Sequence, residues 1–229
     1  MAQGILYKTS LVFVRIFALF MLRLDIHRHS HLPSRPMIFV ANHPSATDPF
    51  IIHMVSNNQL NVLITSKAFT VPIFGWFLRK VQEIPVPLNE GSTALEQAQR
   101  HLDRGRSVAI FIEGRISPRE GGFLPPRSGA ARLALSTGAP IVPVGIFLHR
   151  ERCHNIRSRV AGGIESEARW YFRGPYAITV GHPTLFDGDA ENHEHVQHVS
   201  ETIMNRIRHL ANESERRVHG RKLLATTIW

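Results

Sequence analysis

Met37-Ile38-Phe39-Val40-Ala41-Asn42-His43-Pro44-Ser45-Ala46-Thr47-Asp48-Pro49 decides how this chain is read. Its first five residues are an unbroken apolar run, the pattern of a buried strand. Asp48-Pro49 then supplies a helix start, a good N-cap followed by a good first helical residue, so 49–57 is expected to be a helix. His43 falls at the strand exit, where side chains reach a cleft. A histidine with a carboxylate to orient it is the minimal apparatus for taking a proton from a hydroxyl. Asp48 lies five positions later. On a regular helix that spacing leaves two side chains roughly 140° apart. His43 and Asp48 therefore meet only if residues 44–47 turn, which Pro44 makes plausible. On spacing alone the plainer reading is the commoner one: Asp48 caps a helix and His43 is a loop histidine.

The alternation continues outward. Strands are expected at 60–65, 83–86, 107–112 and 141–147, and an edge strand at 176–180. Helices are expected at 72–81, 92–104, 128–136 and 190–213, with a Gly/Pro/Arg loop over 115–127 and a basic loop over 150–173. Strands alternating with helices predict a single α/β domain over residues 31–229, with a mixed, largely parallel central sheet flanked by helices. In such sheets the functional cleft lies at the carboxyl ends of the strands. Two strands end there in chemically loaded residues, at Asn42-His43 and at Glu113-Gly114-Arg115. If both run the same way, they meet at one edge.

Residues 1–30 form the other expected region, a helix and a connector. Residues 5–24 are apolar, with Lys8, Arg15 and Arg23 the charged exceptions on one stripe of a helix. A basic stripe on an apolar helix suits the membrane interface, with cations among anionic headgroups. Lying in the interface is the first expectation, on the cytoplasmic face and monotopic. Spanning the bilayer is the second, since Arg15 at the centre would cost about 2.5–3.5 kcal/mol. Burial in the protein's own core is the third. A polar, His-rich connector over 27–36 follows.

The chain has 229 residues and a net charge of +9. That length allows one domain with a full core. The charge favours anionic partners: nucleic acid, an anionic membrane or a phosphorylated substrate. The basic residues are scattered and no recognition motif accompanies them, so nucleic acid is not expected as a partner. A single cysteine, Cys153, excludes an intrachain disulfide. His27, His29 and His31, and His193, His195 and His198, have no acidic or cysteine partners at ligand spacing, so no metal is expected. The oligomeric state is left open.

Two further motifs join His43 and Asp48. Glu113-Gly114-Arg115 places a carboxylate and a guanidinium about a glycine that lets a ligand approach the backbone. Arg127-Ser128-Gly129-Ala130 places a cation before small residues that open a helix, an anion-binding pattern. Each alone is also an ordinary turn or helix start.

Taken in order, these motifs resemble the glycerolipid acyltransferase family, of the 1-acylglycerol-3-phosphate O-acyltransferase type. Asn42-His43-Pro44-Ser45-Ala46-Thr47-Asp48 completes the family's N-H-x-x-x-x-D block. Lys67 followed by Pro72-Ile73-Phe74-Gly75-Trp76 is similar to its K-x-x-x-x-P-x-F-G segment. Phe111-Ile112-Glu113-Gly114-Arg115-Ile116-Ser117 is similar to F-P-E-G-T-R-S, and Ile141-Val142-Pro143-Val144-Gly145-Ile146 to the fourth block.

The resemblance implies a membrane-associated enzyme that moves a fatty acyl group from acyl-coenzyme A or acyl-carrier protein to a lysophospholipid hydroxyl, with no other cofactor. It implies His43 as general base, Asp48 as its orienting carboxylate, and Asn42, Lys67, Glu113, Gly114, Arg115 and Arg127 around the substrate. Two departures bear on the acceptor. The family's G-x-I-x-V-x-R run is Gln82-Glu83-Ile84-Pro85-Val86-Pro87-Leu88 here, with Leu88 in place of an arginine. Arg115 stands one place early, as in lysophosphatidylethanolamine-type members. Lysophosphatidylethanolamine or a glycolipid is therefore an alternative acceptor. A non-catalytic lipid-binding protein shares the helix and the charge, but has no need of His43, Asp48 and Glu113 together.

Overall fold

The computed structural model describes residues 2–88, 90–159 and 165–226. The chain runs α1 (Ala2–Met21), β1 (Leu22–Arg28), β2 (Ile38–Ala41), α2 (Asp48–Ile51), β3 (Leu60–Thr65), α3 (Phe74–Lys80), β4 (Ile84–Val86), α4 (Gly91–Asp103), β5 (Ser107–Phe111), α5 (Gly129–Thr137), β6 (Ile141–Leu148), β7 (His154–Arg159), β8 (Glu165–Trp170), β9 (Gly174–Val180) and α6 (His193–Thr226). Short 3₁₀ turns at Ile52–Val55 and Ser66–Thr70 complete the expected helix after Asp48 and lead into α3.

Seven strands form one sheet in the order β1-β9-β6-β2-β5-β3-β4. The five from β6 to β4 are mutually parallel; β9 runs antiparallel to β6, and β1 parallel to β9. This is the mixed, largely parallel sheet expected, with β2 at its centre. The period of two along β2 divides its side chains between the faces. Ile38 and Val40 join the core under α4, α5 and α6, while Phe39 and Ala41 join the core on the opposite face with Ile51, Ile52 and Tyr176. Each fully buried Ile, Val or Phe side chain among them contributes about 1.5–3 kcal/mol of transfer free energy. Gly145 in β6 allows α6 close to the sheet: a Cβ there would lie 2.1 Å from the Ala211 backbone nitrogen.

Four expectations need correction. Residues 22–28, expected as the end of the apolar helix and the start of a connector, form β1, so Arg23 lies on a strand and the expected boundary after residue 30 follows directly on a member of the main sheet. Residues 174–180 are an interior strand, because β1 covers their outer edge. The basic stretch 150–173 contains the antiparallel pair β7–β8. The last helix starts at His193 and runs beyond 213 to Thr226.

Helix α1 is anchored to the body by few side chains. Tyr7 and Ala18 are buried, and the Tyr7 hydroxyl accepts from the Leu60 N–H (3.2 Å) and meets His53 Nδ1 (3.2 Å). Phe13, Leu19 and Phe20 are 66%, 76% and 77% exposed, which removes the reading of a helix buried in the protein's own core. Its Gly4–Met21 segment is long and apolar enough to cross a membrane by length and composition.

Candidate active site

Parallel pairing of β2 with β5, register Ala41 opposite Phe111, brings both strand ends to the same sheet edge. His43 follows one end and Glu113 the other. Residues 44–47 turn as required, and His43 Nδ1 stands 2.9 Å from Asp48 Oδ2. The imidazole packs flat on Phe111, with ring centroids 4.2 Å apart. With Nδ1 committed to the carboxylate, Nε2 is the ring atom left for a ligand.

Asp48 is fully buried, and its carboxylate does not cap a helix. Oδ2 accepts from the Ser45 N–H (2.8 Å) as well as facing His43, and Oδ1 accepts from the Tyr176 hydroxyl (2.6 Å). Three donors on one buried carboxylate fix its position. Burial, and the Asp48 carboxylate beside it, push the Tyr176 phenol well above its ordinary range, so it stays a donor.

The turn is fixed from a distance. The Arg169 carbonyl, at the end of β8, accepts from the Ala46 N–H (2.7 Å) and the Ser45 hydroxyl (3.1 Å). The Tyr171 N–H donates to Thr47 Oγ1 (3.0 Å), whose own hydroxyl donates to the Tyr171 carbonyl (3.0 Å). Ser45 is thus occupied by backbone groups. Cys153 is buried, and burial lifts its thiol to about 11, so it offers no thiolate near neutral pH.

The other expected site residues divide into two groups. Asn42 and Glu113 are buried braces. Asn42 donates to the Ile146 carbonyl (2.9 Å) and accepts from the Ile146 N–H (2.8 Å), tying β2 to β6. Glu113 Oε1 accepts from the His43 N–H (3.0 Å) and the Ser117 hydroxyl (2.6 Å), and Oε2 from the Leu124 N–H (2.7 Å). Its carboxylate is committed to shaping the loop that carries His43, so it has little left for a headgroup. Gly114 has φ +67°, and a Cβ there would lie 2.6 Å from Arg127 Cδ. Only glycine allows both that backbone and that overlay.

Lys67, Arg115 and Arg127 are exposed, and among the described residues none of them forms a salt bridge. The Phe74-Gly75 block builds a tight corner: a Cβ on Gly75 would fall 2.0 Å from the Phe69 carbonyl oxygen. Phe50, two residues past Asp48, has its ring 6.0 Å from those of Phe74 and Trp170. Sequence reasoning missed Tyr176, Arg169 and Tyr171, which lie 121 or more positions beyond Asp48 and carry no spacing signal.

A groove of about 760 Å³ lies elsewhere, between Leu19, Phe20 and Met21 of α1 and the cations Arg23, Arg152 and Arg173. The second histidine-rich segment, His193 to His198, lies on α6, within the helix expected over 190–213.

The Acyltransferase family model matches residues 23–147, which hold β1 to β6 and every site residue expected from the sequence. The chain belongs to the acyltransferase family. It is 30% identical over 129 residues to the chloroplastic 1-acyl-sn-glycerol-3-phosphate acyltransferase BAT2 of Brassica napus, covering 54% of this chain and 37% of that protein. It is 28% identical over 132 residues to the lyso-ornithine lipid O-acyltransferase of Pseudomonas aeruginosa, covering 56% of this chain and 49% of that protein. The chain thus spans half or less of the length of these two relatives. The crystal structure of the 1-acyl-sn-glycerophosphate acyltransferase of Thermotoga maritima superposes with TM-score 0.63 at 22% identity, over 94% of this chain and 80% of that one. That likeness establishes the acyltransferase α/β fold, N-terminal apolar helix included.

Proposed function

We propose that this acyltransferase moves a fatty acyl group from an acyl thioester, acyl-coenzyme A or acyl-carrier protein, to a hydroxyl of a lysophospholipid at an anionic membrane surface. The single observation that carries the reading is His43 Nδ1 at 2.9 Å from the fully buried Asp48 carboxylate. That bond fixes the tautomer with its lone pair on Nε2. Nε2 takes the acceptor's hydroxyl proton as the oxygen attacks the thioester carbonyl. The tetrahedral adduct collapses, the C–S bond breaks, and the imidazolium returns the proton to the departing thiolate. No acyl-enzyme is required, which agrees with Ser45 being tied to backbone groups.

The free cations Lys67, Arg115 and Arg127 meet the anionic parts of acceptor and donor. The ring trio Phe50, Phe74 and Trp170 offers an apolar wall for the acyl chain. The exposed apolar face of α1, with the basic groove at its foot, sets the protein on the membrane from the cytoplasmic side without crossing it.

His43→Ala tests the reading. Acyl transfer followed by mass spectrometry should fall by at least the 10²–10⁴-fold, roughly, that general bases contribute. Folding and vesicle binding should be unchanged. Full activity in that variant removes His43 as the base.

A second reading of the acceptor is favoured by one observation. Leu88, 73% exposed, stands where phosphate-binding members carry an arginine. An acceptor other than lysophosphatidic acid follows, such as lysophosphatidylethanolamine or a glycolipid, and the lyso-ornithine lipid enzyme of Pseudomonas aeruginosa shows by its name that the family is not confined to phosphatidic acceptors. A panel of lysolipid acceptors in the same assay separates the two. Preference for lysophosphatidic acid would sink the second.

A further inference from the structure

We propose that His27, His29 and Glu213 bind a divalent transition-metal ion of the zinc class, which ties the edge strand β1 to the C-terminal helix α6. His27 closes in on the same face as His29, two residues on, because strand side chains repeat with period two. The His29 N–H still donates to the Val180 carbonyl (2.9 Å), so the ladder with β9 extends to that residue. Glu213 comes from α6, 184 positions after His29. That separation is why the histidines have no acidic partner in the local sequence.

One donor atom from each of the three side chains lies within 4.8 Å of the others. His29 Nε2 is 2.9 Å from Glu213 Oε2, and His27 Nε2 is 4.0 Å from Oε1. Zinc ligands with bonds of about 2.0–2.1 Å stand roughly 3.3 Å apart around a tetrahedron. Small side-chain rotations therefore convert the cluster into a coordination shell. An ion pair needs only one of the imidazoles. At 4.0 Å, His27 is too far for a hydrogen bond, yet it turns the same nitrogen toward the same carboxylate. Two protonated imidazoles there, with ring centroids 5.5 Å apart, would repel each other; two neutral ones on a dication do not.

The donor set selects the ion. Two imidazole nitrogens and one carboxylate oxygen suit zinc and its first-row neighbours, whereas magnesium and calcium take oxygen ligands. Water would complete the fourth position, as it does at open zinc sites. Arg217 supplies the outer support. It donates to Glu213 Oε1 (3.3 Å), Asp25 Oδ2 (2.9 Å) and the Ile178 carbonyl (2.9 Å), which holds the carboxylate with Oε2 toward His29 and Oε1 shared between Arg217 and the His27 side. Its positive charge also opposes a dication, so affinity is moderate rather than that of a closed structural site. Side-chain exposures of 52%, 25% and 22% for His27, His29 and Glu213 leave the ion a way in.

The test uses the purified full chain, stripped with a chelator and titrated with zinc chloride by calorimetry, with magnesium chloride as control. One equivalent of zinc should bind, with no heat from magnesium. Affinity should fall by more than the roughly 100-fold upper end of what loss of an outer support costs, both in the double variant His27→Gln, His29→Gln and in Glu213→Gln. Zinc should raise the melting temperature of the parent and of neither variant. Cobalt should give the visible absorption of a tetrahedral nitrogen–oxygen site. A triple variant of His193, His195 and His198 to Gln should keep all of this. If Glu213→Gln does not fold, the histidine pair decides, since those side chains are more exposed. No zinc binding by the parent, binding unchanged in the double variant, or binding lost in the triple variant would each overturn the site. Acyl transfer does not enter the readout, so the outcome stands apart from the function proposed above.

Discussion

Removing one oxygen atom separates the support of Asp48 from the packing around it. Tyr176→Phe keeps the ring, which is fully buried, and deletes the hydroxyl that donates to Asp48 Oδ1 at 2.6 Å. Oδ2 keeps the Ser45 N–H at 2.8 Å and His43 at 2.9 Å. Oδ1 then has no donor among the described residues, in a group with no solvent exposure. A hydrogen bond to a charged group contributes about 1.5–3 kcal/mol, and a buried carboxylate oxygen left unpaired belongs at the upper end. Urea denaturation should thus show a loss of about 2–3 kcal/mol with an unchanged m-value. Tyr171→Phe is the control. It deletes an equally buried hydroxyl that donates to the neutral Pro175 carbonyl at 2.9 Å, and should cost about 1 kcal/mol. Acyl transfer should fall about tenfold in Tyr176→Phe, because a carboxylate with two donors orients His43 less strictly than one with three. A Tyr176→Phe protein no less stable than Tyr171→Phe and fully active would refute the claim that this phenol holds the dyad.

Two further outcomes follow from buried groups. Glu113→Gln replaces one carboxylate oxygen, in a site of three donors, with an amide that can only donate there. It should cost about 1–3 kcal/mol in denaturation and lower acyl transfer by displacing the His43 backbone; wild-type stability would count against the brace. His101 is buried among Arg100, Arg104 and Arg106, and burial lowers it to about 4. Its unfolded form, near 6.5, binds a proton that the folded form refuses, so stability is lost as pH falls from about 6.5 toward 4. Between pH 7 and pH 5 that loss is about 2 kcal/mol, and it should vanish from the pH dependence of unfolding in His101→Gln.

The parts of the fold that were legible are those whose sequence signal is local. The strands of the parallel block are buried on both faces and read as continuous apolar runs, as in 38–41 and 107–111. β1 is not of that kind. Leu22–Arg28 holds two arginines, an aspartate and a histidine, and follows a helix whose apolar run conceals where it stops. It is a strand because β9 offers seven residues of parallel pairing, and that partner lies 152 positions away. Covering β9 made the expected edge strand an interior one. The β7–β8 pair is as polar and escapes a reading by hydrophobic period for the same reason.

The site divides along the same line, and the division bears on substrate choice. His43 and Asp48 are local and were legible as a pair. What makes them a rigid pair is remote: the Tyr176 hydroxyl, the Arg169 carbonyl and the Tyr171 N–H. Glu113 shows the converse error. Its position in Glu113-Gly114-Arg115 suggests a headgroup contact, but three internal donors consume its acceptors. A carboxylate so engaged, and 1% exposed, is poorly placed to meet an ammonium headgroup. Under the proposed function, the groups left to meet the acceptor are the exposed cations Lys67, Arg115 and Arg127, which attract anionic groups generally. If lysolipids are the acceptors and Leu88 stands in place of a phosphate-binding arginine, discrimination among them rests on how these three cations are spaced. Such a surface ranks acceptors by charge and reach, and broad rather than strict acceptor use is the outcome to expect from the lysolipid panel.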